Sequence, residues 1–308
     1  MPVGLFDIGI LTSTLRLSTP LTLGAIGGLY SERGGVINIA LEGIMLFGAF
    51  SAAVVAYYSG NPWPGLLLGE LTGMLIAFIH GLVSITFLGD QIVSGMGINI
   101  LALGLPAVFS SALFKTPSST PSIQKMLPAI NIPLLSDIPV VGEILSGYTI
   151  PVYLSFAVVI LTYFVLFYTV FGLRLRAVGE NPKSAESMGV DVIRYKYYGV
   201  LLSGLLAGIG GAFLSIGHGT QFIKNMTAGR GYIALAALIF GKWHPVKTFL
   251  ACLIFGFADA LQMRLQGVID IPVQFIQMIP YILTILVIVG FIGKAVPPAG
   301  SGVPYRRG

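Results

Sequence analysis

The chain has 308 residues, of which 55% are hydrophobic and only 9% are charged. Soluble domains carry about 25% charged residues, so this composition excludes an ordinary soluble protein and indicates a protein of the lipid bilayer. The net charge of +5 does not indicate nucleic-acid binding, because the lysines and arginines cluster at the ends of apolar runs and not on one amphipathic face. Cys252 is the single cysteine, which excludes an internal disulfide, and no Cys and His spacing predicts a metal site.

Apolar stretches recur along the whole chain at lengths near the roughly 20 residues that a helix needs to cross a bilayer. They lie at 8–29, 36–59, 63–87, 90–114, 150–171, 198–216, 226–241, 248–262 and 274–293. The longest polar gaps, 115–149 and 172–197, leave little room for a separate soluble domain. The sequence therefore predicts an all-α integral membrane protein: one polytopic domain over 1–308, a bundle of about nine transmembrane helices, some of them short or broken.

The positions of the cations predict the orientation, because short loops rich in Lys and Arg stay on the cytoplasmic side. The loop 172–197 carries five of these cations and the tail 294–308 carries three. We therefore expect both segments to be cytoplasmic. Alternation of the spans then places the 115–149 loop and the N-terminus outside.

Glycines recur at four-residue spacing inside three of the apolar stretches. Such spacing lets helix backbones approach each other closely in lipid. The glycines are Gly24 with Gly28, Gly65 with Gly69 and Gly73, and Gly204 with Gly208. The pattern predicts close helix packing.

Motifs for an enzyme are missing from the sequence. It contains no Gly-x-x-x-x-Gly-Lys-Ser/Thr loop that would cradle nucleotide phosphates, so if ATP drives the protein, a partner subunit binds the ATP. Its three histidines stand apart in the sequence and form no Ser/His/Asp grouping. We expect His80 to be a hydrogen-bonded interior residue. An intramembrane enzyme is therefore disfavoured.

Polar side chains within the apolar stretches are few, and they are the candidates for a translocation path: Asn38, Glu42, Glu70 and Asn99. Asn38 and Glu42 lie four residues apart, which would put them on one helical face, and they follow the glycine pair at 34–35. A helix broken there could expose polar groups to a cavity. The alternative is structural: Glu42 bonds across a helix interface or pairs with Arg33. The sequence leaves both open.

The polar segment GENPKSAESMGVD, residues 179–191, has helix start and stop signals in an otherwise apolar chain. Asn181 suits an N-cap, Pro182 the first helical turn and Gly189 the left-handed residue after the end. They predict a short cytoplasmic helix with Ala185 and Met188 as an apolar knob. Such a short helix is marginal in water, so it either fits a socket on a partner protein or serves only as a linker.

This segment and its surroundings, residues 171–213, resemble the cytoplasmic loop and following helix of ATP-binding cassette (ABC) importer permeases. The group includes the ribose, branched-chain amino acid and nucleoside permeases, in which this loop holds the coupling helix that docks on the ATPase. The matching positions are Gly179, Asn181, Pro182, Ala185 and Gly189. Ser184 and Val190 stand where the family often has Ala and Ile, which are conservative departures.

Two further blocks strengthen the resemblance. Residues 18–50, with the pattern Ser-Glu-Arg-x-Gly-Val-x-Asn-Ile-x-Leu-Glu-Gly, look like the shorter permease of nucleoside importers. Residues 228–246 resemble the family pattern that ends in Gly-x-Trp-x-Pro. Sugar permeases share much of these patterns, so ribose or another simple sugar is the alternative substrate. An ion-driven secondary transporter is the rival of a different class.

The resemblance implies a multi-pass subunit of the cell membrane that is a transporter and not an enzyme. It implies several partners: ABC ATPase subunits, a second permease subunit, an extracytoplasmic substrate-binding protein and the lipid bilayer, with no nucleic acid. It implies no cofactor in this chain, since a partner binds the ATP. The residues it assigns to ATPase coupling are Gly179, Glu180, Asn181, Pro182, Ala185, Met188 and Gly189.

Overall fold

The computed structural model describes residues 8–131, 141–266, 272–280, 282, 285 and 295–306. Its helices are α1 (Ile8–Arg33), α2 (Leu41–Ser59), α3 (Pro62–Gly81), α4 (Gln91–Phe114), α5 (Val141–Leu145), α6 (Ile150–Tyr168), α7 (Val170–Glu180), α8 (Pro182–Ser187), α9 (Val192–Ala212), α10 (Arg230–Phe240), α11 (Pro245–Leu265) and α12 (Val273–Gln277). Short π-helical turns, Leu82–Thr86 and Phe213–His218, continue α3 and α9. Two short strands, β1 (Ala129–Ile130) and β2 (Tyr148–Thr149), pair antiparallel.

Six of these helices are long and apolar enough to cross a membrane: α2, α3, α4, α6, α9 and α11, with the π turns included. Helix α1, with 26 residues, is about 39 Å long. Helix α10 has only 11 residues and reaches about 16 Å, roughly half the apolar thickness of a bilayer. The expectation of an all-α, multi-pass membrane protein is confirmed. The span expected at 274–293 lies largely outside the described residues, and the total of nine stays a prediction.

One end of the bundle gathers segments that are distant in sequence. At the end of α1, Arg33 lies 3.8 Å from Glu180 of α7 and donates a 2.7 Å hydrogen bond to the carbonyl of Trp243. The amide of Gly300, in the tail, donates to the carbonyl of Gly179 at 2.8 Å. The two basic segments thus lie at the same end, as the expected cytoplasmic orientation requires.

Residues 115–131, the first described part of the 115–149 loop, lie at the opposite end and fold onto the chain that follows α9. The amide of Thr120 donates to the carbonyl of Phe222 at 3.0 Å, and the amide of Ile123 donates to the carbonyl of Thr220 at 2.7 Å. These hydrogen bonds pair backbone groups that lie outside the regular helices and strands. Asp137 of this loop lies outside the described residues.

Helix α3 packs on α9 at a contact where glycine meets glycine. A Cβ atom on Gly73 would lie 2.3 Å from the carbonyl oxygen of Gly204, and one on Gly208 would lie 2.6 Å from that of Gly69. Helix α9 is mostly buried. The close packing predicted from the four-residue glycine spacing is confirmed here, and it lets dispersion contacts form between backbones.

We expect Gly73→Val to destabilise the bundle, because the added side chain forces α3 away from α9. Overpacking of this kind costs about 1–3 kcal/mol or more. The matched control is Gly104→Val in α4, where an added Cβ meets nothing within 4 Å. The measurement is the melting temperature of the detergent-purified protein. Equal melting temperatures for the two variants would contradict the glycine contact.

Candidate functional site

Two breaks in the helices leave helix starts inside the bundle. Helix α1 ends at Arg33, residues 34–40 are not helical, and α2 begins at Leu41. The second break, 219–229, precedes α10. A helix start carries four backbone N–H groups without intrahelical partners, and lipid offers them no water. The chain itself must supply the acceptors.

Glu42 supplies them for α10. One carboxylate oxygen accepts from the Thr227 hydroxyl at 2.6 Å and from the Gly229 amide at 2.8 Å. The other oxygen accepts from the Gly231 amide at 2.6 Å. A Cβ on Gly231 would lie 2.3 Å from the backbone nitrogen of Glu42, so only glycine permits this approach. The carboxylate caps α10 and faces the positive end of its dipole.

Asn99 of α4 accepts a hydrogen bond from an amide at the start of α2, as Glu42 does for α10. Its side-chain oxygen accepts from the Gly43 amide at 2.8 Å. Its side-chain nitrogen donates to the Ile39 carbonyl at 3.0 Å and to the Tyr232 hydroxyl at 2.9 Å. Asn99 therefore ties the start of α2 to α4 and to α10.

Asn38 lies in the break between α1 and α2 and is fully buried. Its side chain donates to the Ser203 hydroxyl at 2.9 Å and accepts from the Ala40 amide at 3.1 Å. The expected sharing of one helical face by Asn38 and Glu42 is wrong, because the helix begins only at Leu41. Asn38 holds the break against α9, whereas Glu42 reaches α10.

Glu70 stands apart from this polar cluster. It is half-buried on α3, and it makes no hydrogen bond or ion pair with another residue in the described part of the chain. The structure thus brings Asn38, Glu42 and Asn99 around the two helix starts, with Glu70 elsewhere. Their part in a translocation path stays a prediction.

An ion pair beside this cluster was missed by the sequence analysis. The Arg230 guanidinium, at the start of α10, lies 3.9 Å from the Asp259 carboxylate of α11, and both side chains are largely buried. Arg230 also donates to the carbonyls of Met226 and Thr227, at 3.3 Å each. The sequence signal for Arg230 is its position between two glycines, Gly-Arg-Gly, at the start of a predicted helix.

The segment 179–191 has the local structure that its sequence predicts. The side-chain oxygen of Asn181 accepts from the Ser184 amide at 3.1 Å, Pro182 opens α8, and Gly189 takes the left-handed conformation with φ of 80°. The Val190 amide closes the helix end by donating to the Ala185 carbonyl at 3.1 Å. The helix is confirmed, and its coupling role stays a prediction.

Ala185 and Met188 do not form one exposed knob, so that expectation is wrong. Ala185 is only 4% exposed and packs against Val178 and Val192. Met188 is 84% exposed. The reason is geometric: α8 is a single short helix lying on the bundle, and Met188 comes just after its last residue. Any partner meets Met188 and not Ala185.

Behind α8 lies a contact region that we call the joint, formed by Glu32, Arg33, Gly179, Glu180 and Trp243. A Cβ on Gly179 would lie 2.1 Å from the Arg33 carbonyl oxygen. The Trp243 indole donates to the Glu32 carboxylate. The joint brings together all three sequence blocks that carry the family resemblance, a meeting that sequence spacing alone did not reveal.

His244 borders the joint outside the membrane-spanning helices. Its ring packs on Phe167, with 5.4 Å between the centroids. Burial lowers the pKa of His244, and the charges of Lys247 and Arg33 lower that pKa further. The imidazole is therefore mainly neutral at pH 7 and adds no positive charge beside Arg33.

Comparison with known proteins agrees with this architecture. The family described as "Branched-chain amino acid transport system / permease component" matches residues 10–288. The chain belongs to this permease family. The permease is 42% identical to the nucleoside ABC transporter permease protein NupC of Lactococcus lactis, over 97% of this chain and 96% of that protein. It is 43% identical to the guanosine ABC transporter permease protein NupQ of Bacillus subtilis, over 97% of both chains.

A third relative of the permease has a name that gives a different substrate. It is the putative glucose ABC transporter permease protein TsgC13 of Haloferax volcanii, 37% identical over 85% of this chain and 79% of that protein. No solved structure matches the permease. Within its described residues, no group of three or more His, Cys, Asp or Glu could hold a metal ion.

We expect Glu42→Gln to lower the melting temperature of the permease. The amide can keep one acceptor oxygen, but its NH₂ would face a backbone N–H, and an unsatisfied buried group costs about 1–3 kcal/mol. The matched control is Glu70→Gln, which removes a carboxylate that bonds to no other described residue.

This comparison also separates the two roles open for Glu42. A capping role predicts a lower melting temperature for Glu42→Gln than for Glu70→Gln. A path-lining role predicts lost uptake with the melting temperature unchanged. A wild-type melting temperature for Glu42→Gln would show that the cap is not needed.

Proposed function

We propose that the permease is the membrane subunit of an ATP-driven importer for nucleosides. The observation that carries the proposal is similarity over almost the whole length to two relatives whose names give nucleosides and guanosine as their substrates. A binding site that moves between outward-open and inward-open states would carry the substrate across. A second permease and an extracytoplasmic binding protein would complete the pathway.

The energy source in this proposal is a partner ATPase. The sequence has no phosphate-binding loop of its own, and α8 presents an exposed, capped surface at the end of the bundle where the basic loops lie. We infer that α8 is the coupling helix and that Gly179, Glu180, Asn181, Pro182 and Gly189 set its position. Met188 is its contact with the ATPase.

The polar cluster is proposed as a support for the pathway. Asn38, Glu42 and Asn99 hold two helix starts in place within the membrane. The chain at 219–229 and 34–40 is non-helical there, as in transporters whose broken helices surround a substrate. Glu70 remains a candidate for lining the translocation path, because its carboxylate makes no hydrogen bond or ion pair with another described residue.

A sugar is the second candidate substrate, because the relative named as a putative glucose permease is also similar over most of the chain. The deciding experiment is uptake of labelled guanosine by the complete transporter, with unlabelled competitors. We expect purine and pyrimidine nucleosides to compete, and glucose and ribose to have no effect. Uptake of labelled glucose or ribose by the same transporter, with no uptake of labelled guanosine, would replace nucleosides by a sugar as the substrate.

The same uptake assay tests the energy source. Depletion of ATP should stop uptake, whereas an uncoupler applied with ATP held constant should leave uptake largely intact. Collapse of uptake with the uncoupler alone would favour an ion-driven transporter and overturn the proposal.

We expect Met188→Glu to reduce ATPase association, because the charge would be desolvated at an apolar contact, at a cost of several kcal/mol. The matched control is Met126→Glu, an exposed methionine in the loop at the opposite end of the bundle. The measurements are the ATPase that co-purifies with the permease and ATP-dependent uptake. Full association and uptake with Met188→Glu would make α8 a linker.

A further inference from the structure

The tail of the chain, residues 295–306, lies across the coupling segment, and we call it the strap. The Gly300 amide donates to the Gly179 carbonyl at 2.8 Å, and the Ala299 amide donates to the Glu180 carboxylate at 3.2 Å. Farther along, a Cβ on Gly302 would lie 2.9 Å from the Ile37 side chain. The strap therefore touches both the coupling segment and the break between α1 and α2.

The strap also shares an apolar cluster with α8. Tyr305 packs with Val178, Ala185 and Val192. These residues come from α7, α8 and α9, so the strap packs onto the cluster that buries the inner face of α8. The strap and the bundle together provide an apolar site for Ala185, so Ala185 faces inward. An isolated short helix would have no such site.

Between the strap and α8 lies a groove of about 470 Å³. Pro182 and Lys183 form one side, and Val303, Pro304 and Arg306 form the other. Val303 is 56% exposed, although it lies in an apolar wall. Exposed apolar groups in a concave surface with a polar rim are typical of an interaction site.

The charges around the groove indicate what it would bind. Lys183 and Arg306 are exposed at its rim. Glu180, also in the lining, lies near the Arg33 guanidinium and accepts from the Ala299 amide, so its charge is partly compensated. The groove thus has an apolar wall and an excess of positive charge, which suits an apolar side chain flanked by carboxylates.

We propose that this groove is a second docking site for the ATPase, so that the strap and the coupling helix form one continuous surface. The inference rests on the proposed function. The ATPase is favoured over an anionic lipid surface because the groove is concave and continues directly from α8, whereas attraction to lipid head groups needs only exposed cations. The strap would also transmit a movement of the ATPase to the joint, through the hydrogen bond from the Gly300 amide to the Gly179 carbonyl.

Cysteine cross-linking tests the site directly. The native Cys252 is fully buried, so an introduced cysteine is the accessible one among the described residues. In the complete transporter, Val303→Cys should cross-link to a subunit identified by its phosphate-binding-loop peptide. The matched control is Val296→Cys, which is also in the strap and is 76% exposed but does not line the groove. Equal cross-linking at both positions, or none at Val303, would overturn the proposal.

Charge substitution tests how much the groove contributes to binding of the ATPase. We expect Val303→Glu to reduce the co-purified ATPase and ATP-dependent uptake about tenfold, a change of about 1.4 kcal/mol, while Val296→Glu leaves both near wild type. If Met188→Glu lowers association and Val303→Glu does not, the strap proposal fails while the coupling helix stands. If neither lowers association, both fail.

Binding of the purified permease to vesicles covers the lipid alternative. The probes are phosphatidylcholine vesicles with and without phosphatidylglycerol, and the variant is Arg306→Gln. Unchanged ATPase association together with lost preference for the anionic vesicles would assign the strap to the membrane and overturn the proposal. Lost ATPase association with unchanged vesicle binding supports it.

Discussion

The bundle depends on how its interior helix starts are satisfied. A helix that begins at the surface can leave its first amides to water, but one that begins within the membrane cannot. Glu42 accepts hydrogen bonds from two amides at the start of α10 and from the Thr227 hydroxyl, and Asn99 accepts one from an amide at the start of α2. Without these acceptors, the amides of Gly43, Gly229 and Gly231 would be unpaired in an apolar interior, at a cost of about 1–3 kcal/mol each.

Small residues make the rest of the architecture possible. The contact of Gly73 with Gly204 brings α3 onto α9, and Gly231 brings α10 onto Glu42. Each of these glycines lacks a side chain at a place where two backbones, or a backbone and a carboxylate-bearing residue, must approach closely. Polar caps and glycine contacts therefore act together: the glycines allow the distance, and the caps satisfy the groups that the distance brings together.

The sequence predicted those features that local chemistry determines. The N-cap at Asn181 and the helix stop at Gly189 follow from neighbouring residues, and both were confirmed. Features set by distant partners were out of reach. The helical spacing of Asn38 and Glu42 assumed a continuous helix, but the break at the glycine pair extends to Ala40. Ala185 is buried in a cluster against which Tyr305 packs, 120 residues later in the chain.

The approach of Gly179 to Arg33 has a mechanical consequence. Most contacts between helices pass through side chains, which can change rotamer and so absorb a small displacement. Here a Cβ would lie 2.1 Å from the Arg33 carbonyl oxygen, so no side chain lies between the two backbones. A contact of this kind is stiff. We therefore expect a displacement of the end of α7 to move the end of α1 with it, because no rotamer change can absorb the displacement between them.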